Sequence, residues 1–255
     1  MTVGELVNVD FLKLLYNMVQ ENYEIGLFDG YDFGFEQAPS VKVTEKEDYR
    51  DPLHLDMCKG ITFTGSYEMP MILPCDIAAP ADIICFNRVV SRSSSWSYVF
   101  PHFYGSDDII ERVWNHWREY EKRLSVFPGV IGPDFSMFTD MHEPHKMFNN
   151  YRCKLLTARW QKDGLTVVPN VTWSDRASYS YAAEGYPKRS VIAINSTGLR
   201  RDKEAIALWR DGYEYMVDLL QPTLILRYGA KQDGEIEAIS RYYRNDNFKS
   251  ACHGS

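Results

Sequence analysis

The apolar positions of this chain alternate between a helical and an extended period, and that alternation predicts its elements. Val9, Leu12, Leu15, Tyr16, Val19 and Tyr23 recur at three- and four-residue spacing with polar residues between them, which predicts an amphipathic helix over residues 9–23. The spacing is lost over residues 24–60, where Gly26, Gly30 and Gly34 interleave with aromatic residues, so loops are expected there with a short strand near Ser40–Thr44. Gly60–Thr64 alternates at period two and reads as a strand closed by Gly65. Asp82–Arg88 reads as another, ending in the polar pair Asn87-Arg88. A loop rich in serine and aromatics is expected over residues 91–104. Helical spacing returns over residues 108–124, 143–162 and 202–220. Apolar, β-prone runs at residues 129–132, 165–171, 190–195 and 223–228 read as strands. Residues 174–187 fit a loop with one helical turn, and residues 234–244 of the polar tail carry a further helical pattern.

Strands that alternate with helices imply parallel crossovers. The expected fold is therefore α/β with parallel strands, either a partial or distorted (β/α) barrel or an open doubly wound sheet. Residues 1–75 are expected as a loop-rich lead-in packed on a core of residues 76–255, together one compact unit. In such folds side chains from different strands meet at the carboxyl ends, where ligands bind. Three runs pass from apolar to polar residues at that end: Gly129-Val-Ile-Gly-Pro-Asp-Phe-Ser136, Leu165–Asp175 and Ser190–Gly198. A fourth, Thr223–Gly229, ends in Arg227-Tyr-Gly. These ends are taken as one site.

Charge narrows the function. A net charge of −7 and a pI near 5.4 give no global basic field, so any contact with DNA or a nucleotide has to be local. Five cysteines without a CxxC pair read as reduced thiols. The chain shows no basic-then-apolar leader and no apolar run near the ~18 residues of a membrane span, so a cytoplasmic protein without a membrane partner is expected. The strand-to-helix turns carry neither a dinucleotide fingerprint nor a Walker loop, and no cofactor is expected.

Asp134 follows a proline and sits between an apolar strand and Phe135, where partial desolvation raises a carboxyl pKa and suits it to acid or base work. Asp175 beside Trp173 offers a second carboxylate and Asn170 a helper, the kind of pair that glycosyl-bond hydrolysis uses. The plain alternatives are that Asp134 caps a turn and Asp175 is solvated. Trp96, Phe135 and Trp173 supply rings for a base. Arg88, Arg200 and Arg201 supply phosphate contacts, with Asn87, Ser136, Ser196 and Thr197 beside them. Asn195-Ser-Thr-Gly198, at the start of a helix, either cradles a phosphate or is a plain turn. His142-Glu-Pro-His145 with Asp140 invites a metal reading, against which stand Pro144 and the absence of histidines at i and i+4.

Pro133-Asp-Phe-Ser136, Asn150-Tyr-Arg152, Val167-Val-Pro-Asn-Val-Thr-Trp-Ser-Asp175 and Asn195-Ser-Thr-Gly198 together resemble a family of uncharacterised domains carried by phages, plasmids and other mobile elements. The likeness spans roughly residues 75–230. It implies a mobile-element or phage-conflict setting and supplies no reaction to carry over. The functional expectation is thus a DNA glycosylase-like enzyme releasing a base, modified or not. Its alternatives are a non-catalytic module binding a nucleotide, DNA or a protein, and a metal-dependent nuclease using Asp134, Asp140, His142 and His145.

Overall fold

Uninterrupted apolar runs such as Val191-Ile-Ala-Ile suit strands buried on both faces, and such strands pair in parallel. The computed structural model, which describes residues 51–89, 98–199 and 202–244, shows that pairing. Strand β1 (Phe63–Thr64) makes a short antiparallel pair with β2 (Met69–Pro70). All later ladders are parallel. Strand β3 (Asp82–Cys85) is followed by a helical turn, α1 (Phe86–Val89), and pairs with β4 (Val99–His102). Helices α2 (Asp107–Asn115) and α3 (Trp117–Leu124) lead to β5 (Val130–Ile131). Helix α4 (Glu143–Lys162) then crosses to β6 (Val167–Val168), the partner of β5. A single helical turn, α5 (Tyr179–Ala183), precedes β7 (Val191–Asn195). Helix α6 (Lys203–Leu220) connects β7 to β8 (Leu224–Tyr228), and β9 (Ser240–Tyr243) lies outside β8.

The ladders follow one another in chain order. A bridge between Asn170 and Ala193 joins the end of β6 to β7, and β4 lies beside β5. Ile83, Phe100, Ile131, Val168, Leu226 and Tyr243, one from each of six strands, meet in one buried cluster. The Tyr243 hydroxyl donates to the Pro80 carbonyl, 2.8 Å away, on the approach to β3. No ladder closes into a barrel. The outward faces are covered by helices: Trp114, Trp117 and Trp160 pack on one side, and Trp209, Tyr213 and Met216 of α6 on the other. These elements belong to the compact unit Tyr49–Ser255. Met1–Asp48 is a separate unit that lies outside the described residues, as do the helix expected at residues 9–23 and the strand near residues 40–44.

The long helices end where their sequence says. Pro144 sits in the first turn of α4 and Asp163-Gly164 closes it, while Asp202 caps α6 and Gln221 ends it in a left-handed conformation before Pro222. Four expectations are corrected. The strand at residues 82–88 stops at Cys85, so Asn87 and Arg88 lie on a helical turn. Part of the loop expected at residues 91–104 is β4, which contains Pro101. It is tolerated because β4 ladders on one side only. The helix expected over residues 108–124 breaks at His116, where Asn115 and His116 are weak helix formers. Residues 240–243 form a parallel edge strand after a 3-10 turn instead of a helix, because pairing with β8 overrides a weak helical pattern.

Candidate functional site

The short strand β5 delivers Asp134 to its own carboxyl end through Gly132-Pro133. A Cβ at Gly132 would stand 2.7 Å from Thr157 Oγ1 and 3.3 Å from the Asn170 nitrogen, so only glycine lets the turn approach α4 and β6 this closely. Neighbouring helices grip the residues that follow. The Phe135 N–H donates to Cys153 Sγ at 3.1 Å, and the Ser136 N–H and hydroxyl both donate to Asp107 at 3.1 and 3.0 Å. Asn149 Nδ2 donates to the Ser136 carbonyl at 2.7 Å and its Oδ1 accepts from Arg152, whose guanidinium lies 3.8 Å over the Phe135 ring.

Two amides fix the Asp134 carboxylate. Its Oδ1 accepts from Asn170 Nδ2 at 2.9 Å and its Oδ2 from Asn195 Nδ2 at 3.0 Å. Neither amide is free to turn round. Asn170 Oδ1 accepts from the Tyr104 hydroxyl at 3.0 Å, and Asn195 Oδ1 accepts from the Thr197 N–H and hydroxyl, each at 2.7 Å. Burial pushes the Asp134 pKa up to about 6, the two amide hydrogen bonds pull the other way, and the Asp107 charge adds to the rise. The carboxyl therefore exchanges its proton close to neutrality.

A cavity of about 540 Å³ opens above this carboxylate. Its floor is polar, with Tyr104, Asp134, Thr172, Asn195 and Thr197. Its wall is apolar, with Phe138, Trp173, Leu199, Leu208 and Trp209. The Trp173 and Trp209 rings meet at 5.8 Å between centroids and 44°, and Trp209 Nε1 donates to the Asn195 carbonyl at 2.9 Å. A planar ring fits the wall, and a carboxylate able to take up a proton stands below it.

A family model described as a domain of unknown function, DUF4417, matches residues 61–243, from the approach to β1 to the end of β9. The chain belongs to the DUF4417 family. It is also similar to the Gene 1 protein of Mycobacterium phage L5, 31% identical over 182 residues that make up 70% of this chain and 77% of the phage protein. The Gene 1 protein of Mycobacterium phage D29 is 32% identical over 182 residues, 70% of this chain and 66% of that protein. These relatives agree with the phage-borne family the sequence resembles. No solved structure matches.

Within the DUF4417 domain, the structure brings Asp134, Asn170, Ser136, Trp173 and Thr197 together, the first two in direct contact. It does not bring Asp175 to the cavity. That carboxylate caps the turn at Arg176–Ser178, and Lys146 stands 3.0 Å away and also pairs with Glu143. Partial burial raises the Asp175 pKa, and Lys146 together with the Ser178 and Ala177 N–H groups more than offsets this, so the net shift is downward. Phe135 borders the cavity, but its ring is buried against Arg152. Ser196 turns away, its hydroxyl 2.7 Å from the Ala230 carbonyl. Asn87 and Arg88, on α1, do not line the cavity. Trp96, Arg200 and Arg201 lie outside the described residues. Among the described residues, no group of three or more His, Cys, Asp or Glu side chains is placed to hold a metal, so Asp134, Asp140, His142 and His145 do not assemble.

Three cavity residues lacked the role that sequence reasoning gave to others. Asn195 stood out as a strand end opening a candidate phosphate cradle, Tyr104 as one aromatic in a loop, and Trp209 as part of a buried helical stripe. Their partnership exists only once the ends of β4, β6 and β7 meet.

Proposed function

We propose that this DUF4417 protein hydrolyses an N-glycosidic bond and releases a base from a nucleobase-bearing substrate, DNA or a smaller N-glycoside, in a phage or mobile-element setting. The observation that carries the reading is a carboxyl with a pKa near 6 at the floor of a ring-sized cavity walled by Trp173 and Trp209. In this reading the parallel strands act as an incomplete (β/α) barrel with the site at their carboxyl ends, which the single interior cluster supports. The base stacks on the apolar wall and the sugar faces the polar floor. Asp134 takes a proton from water, the water oxygen bonds to the anomeric carbon, and the bond to the base nitrogen breaks with its electron pair leaving on the base.

Because the ionised carboxylate is the active form, the rate rises with pH through about 6 and then levels. The test is incubation with unmodified DNA, phage DNA bearing hypermodified bases and free nucleosides, with released base read by mass spectrometry. Released base that is lost in Asp134→Asn supports the reading; release that persists in that variant rejects Asp134 as the base.

A second reading is a module that binds without turnover. It is supported by the absence of a second carboxylate among the cavity-lining residues described, and by both Asp134 oxygens already accepting amide hydrogens. Saturable binding of a ligand that is recovered chemically unchanged would favour it.

A further inference from the structure

Behind the apolar wall of the cavity lies a buried ion pair that the proposed chemistry does not use. Arg227 of β8 and Glu235 are both fully buried, and neither lines the cavity. Arg227 Nη2 donates to Glu235 Oε1 at 2.5 Å, and Nη1 donates to the Ile194 carbonyl at 2.6 Å. The centre of the same guanidinium lies 4.7 Å from the centroid of the Trp209 ring. The Gln232 N–H also donates to Glu235 Oε1, at 3.0 Å. The next residue, Ile236, donates its N–H to the Tyr213 hydroxyl at 3.1 Å, and the Tyr213 ring stacks on Trp209 at 5.1 Å and 20°.

As a source of stability this pair is a poor one. Both charges leave water, and their attraction offsets that cost only when the remaining donors are satisfied as well. Among the described residues Arg227 Nε has no hydrogen-bond partner. A methionine and a leucine would fill the same space without desolvating a charge, but they would not supply direction. A guanidinium is a rigid plane whose donors fork at fixed angles. Here one nitrogen holds Glu235, another holds the Ile194 carbonyl, and the π-system of Trp209 lies against the group. Trp209 in turn donates to the Asn195 carbonyl at 2.9 Å, so two consecutive carbonyls at the end of β7 are gripped, one by Arg227 and one by Trp209. Asn195 is the residue whose Nδ2 reaches Asp134 Oδ2.

Resting on the reading of this cavity as the functional site, we propose that Arg227, neutralised by Glu235, is a positioning residue: it fixes the plane of Trp209 for a stacking ring and the end of β7 for Asn195, and itself touches no ligand. Without the guanidinium the Trp209 ring is free to tilt, its hydrogen bond to the Asn195 carbonyl weakens, and the Asn195 amide is aimed less well at Asp134. That amide bond opposes the rise caused by burial, so weakening it moves the Asp134 pKa further up.

The experiment uses the full chain and needs no substrate. Arg227→Met combined with Glu235→Leu removes both charges and keeps the volume, and thermal unfolding should show stability about equal to wild type or higher. Two signals then report on the site: hydrogen exchange of the Trp209 indole N–H, identified by its loss in Trp209→Phe, and a 13C titration of the Asp134 carboxyl. The expected result is exchange about tenfold faster and a titration about half a unit higher than in wild type. Wild-type exchange and titration in the folded double variant overturn the positioning role and leave the pair as core filling. Faster exchange with an unmoved titration confines the role to Trp209 and overturns the link to Asn195. Should the double variant not fold, Arg227→Lys decides, because it keeps a charge for Glu235 and loses the planar fork. The same two shifts in that variant support the proposal, and their absence overturns it. Hydrolysis is judged separately: wild-type protein that releases no base from nucleosides or DNA removes the hydrolase reading, while the two shifts still support the positioning role.

Discussion

Replacing Asp134 with asparagine removes the one cavity group whose proton affinity the fold changes strongly near neutrality, and this converts a site feature into a stability curve. The carboxyl has an ordinary pKa of 3.8 and is raised to about 6 by burial. The folded protein therefore holds this proton more tightly than the unfolded chain does. Its contribution is fully present below pH about 4 and is lost as pH climbs through about 6. A rise of about two units corresponds to about 3 kcal/mol, at 1.36 kcal/mol per unit. In Asp134→Asn that dependence is absent. The variant amide must turn its nitrogen toward Asn170 or Asn195, both donors, which costs a roughly constant 1–3 kcal/mol. Urea unfolding followed by tryptophan fluorescence at about pH 4, 5, 6 and 7 gives both curves, and the other titrating groups cancel in the difference. The stability of the variant relative to wild type should climb by about 3 kcal/mol between pH about 4 and 7 and then flatten. A difference that stays constant over that range would mean that Asp134 is solvated, and the argument for its chemistry would fail with it.

Three other perturbations probe the supports of the site. Glu235 and Arg227 are fully buried as a pair 2.5 Å apart behind Trp209, so Glu235→Ala strands a guanidinium and should cost about 3–5 kcal/mol. Calorimetry should then show a fall in Tm of roughly 10 °C, and a wild-type Tm would contradict the buried pairing. In Gly212→Ala the new methyl stands 2.1 Å from Trp173 Nε1, which pushes that ring out of the cavity wall. Affinity for a ring ligand should drop by about tenfold, and unchanged affinity would remove Trp173 from the site. Tyr104→Phe frees Asn170 Oδ1 and lets the amide rotate, so the Asp134 pKa should rise by about half a unit to one unit in a carboxyl 13C titration. No movement there would show that Asn170 is held without Tyr104.

Much of the scaffold was legible because the periodic signals are long or uninterrupted. Over Glu143–Lys162 and Lys203–Leu220 the helix boundaries follow Pro144, Gly164, Asp202 and Pro222, residues whose backbone chemistry is local. The two-residue strands β5 and β6 were visible because every side chain in them is apolar and buried. Strand β9 was hidden because an edge strand has a solvated side, and Ser240-Arg-Tyr-Tyr carries no apolar alternation. Asp134 stood out because proline and an apolar run fix where it must sit. Its partners did not, since an asparagine or a tyrosine at a strand end declares no role until three strand ends converge. The phosphate contacts drawn from Arg200 and Arg201 fall outside the described residues.

The two aspartates singled out from the sequence show why the partner of a carboxylate matters more than its position at a strand end. Asp175 follows β6 much as Asp134 follows β5, but a nearly fully buried lysine stands 3.0 Å from it. A full positive charge at that distance stabilises the anion strongly, and the Asp175 pKa moves below its ordinary value. Held below the ordinary carboxylate range, this group is a poorer proton carrier near neutrality than Asp134. Asp134 is met by two neutral amides, which orient the carboxylate as firmly but oppose desolvation only in part. Its pKa is left near 6, where both protonation states are populated. Replacing either amide by a cation would hold the carboxylate as well and end its use as a base. The asparagines at positions 170 and 195 therefore leave this carboxyl titrating near 6, as the proposed mechanism needs, and Asn195→Lys should pull the Asp134 pKa below its ordinary value and abolish any turnover that depends on it.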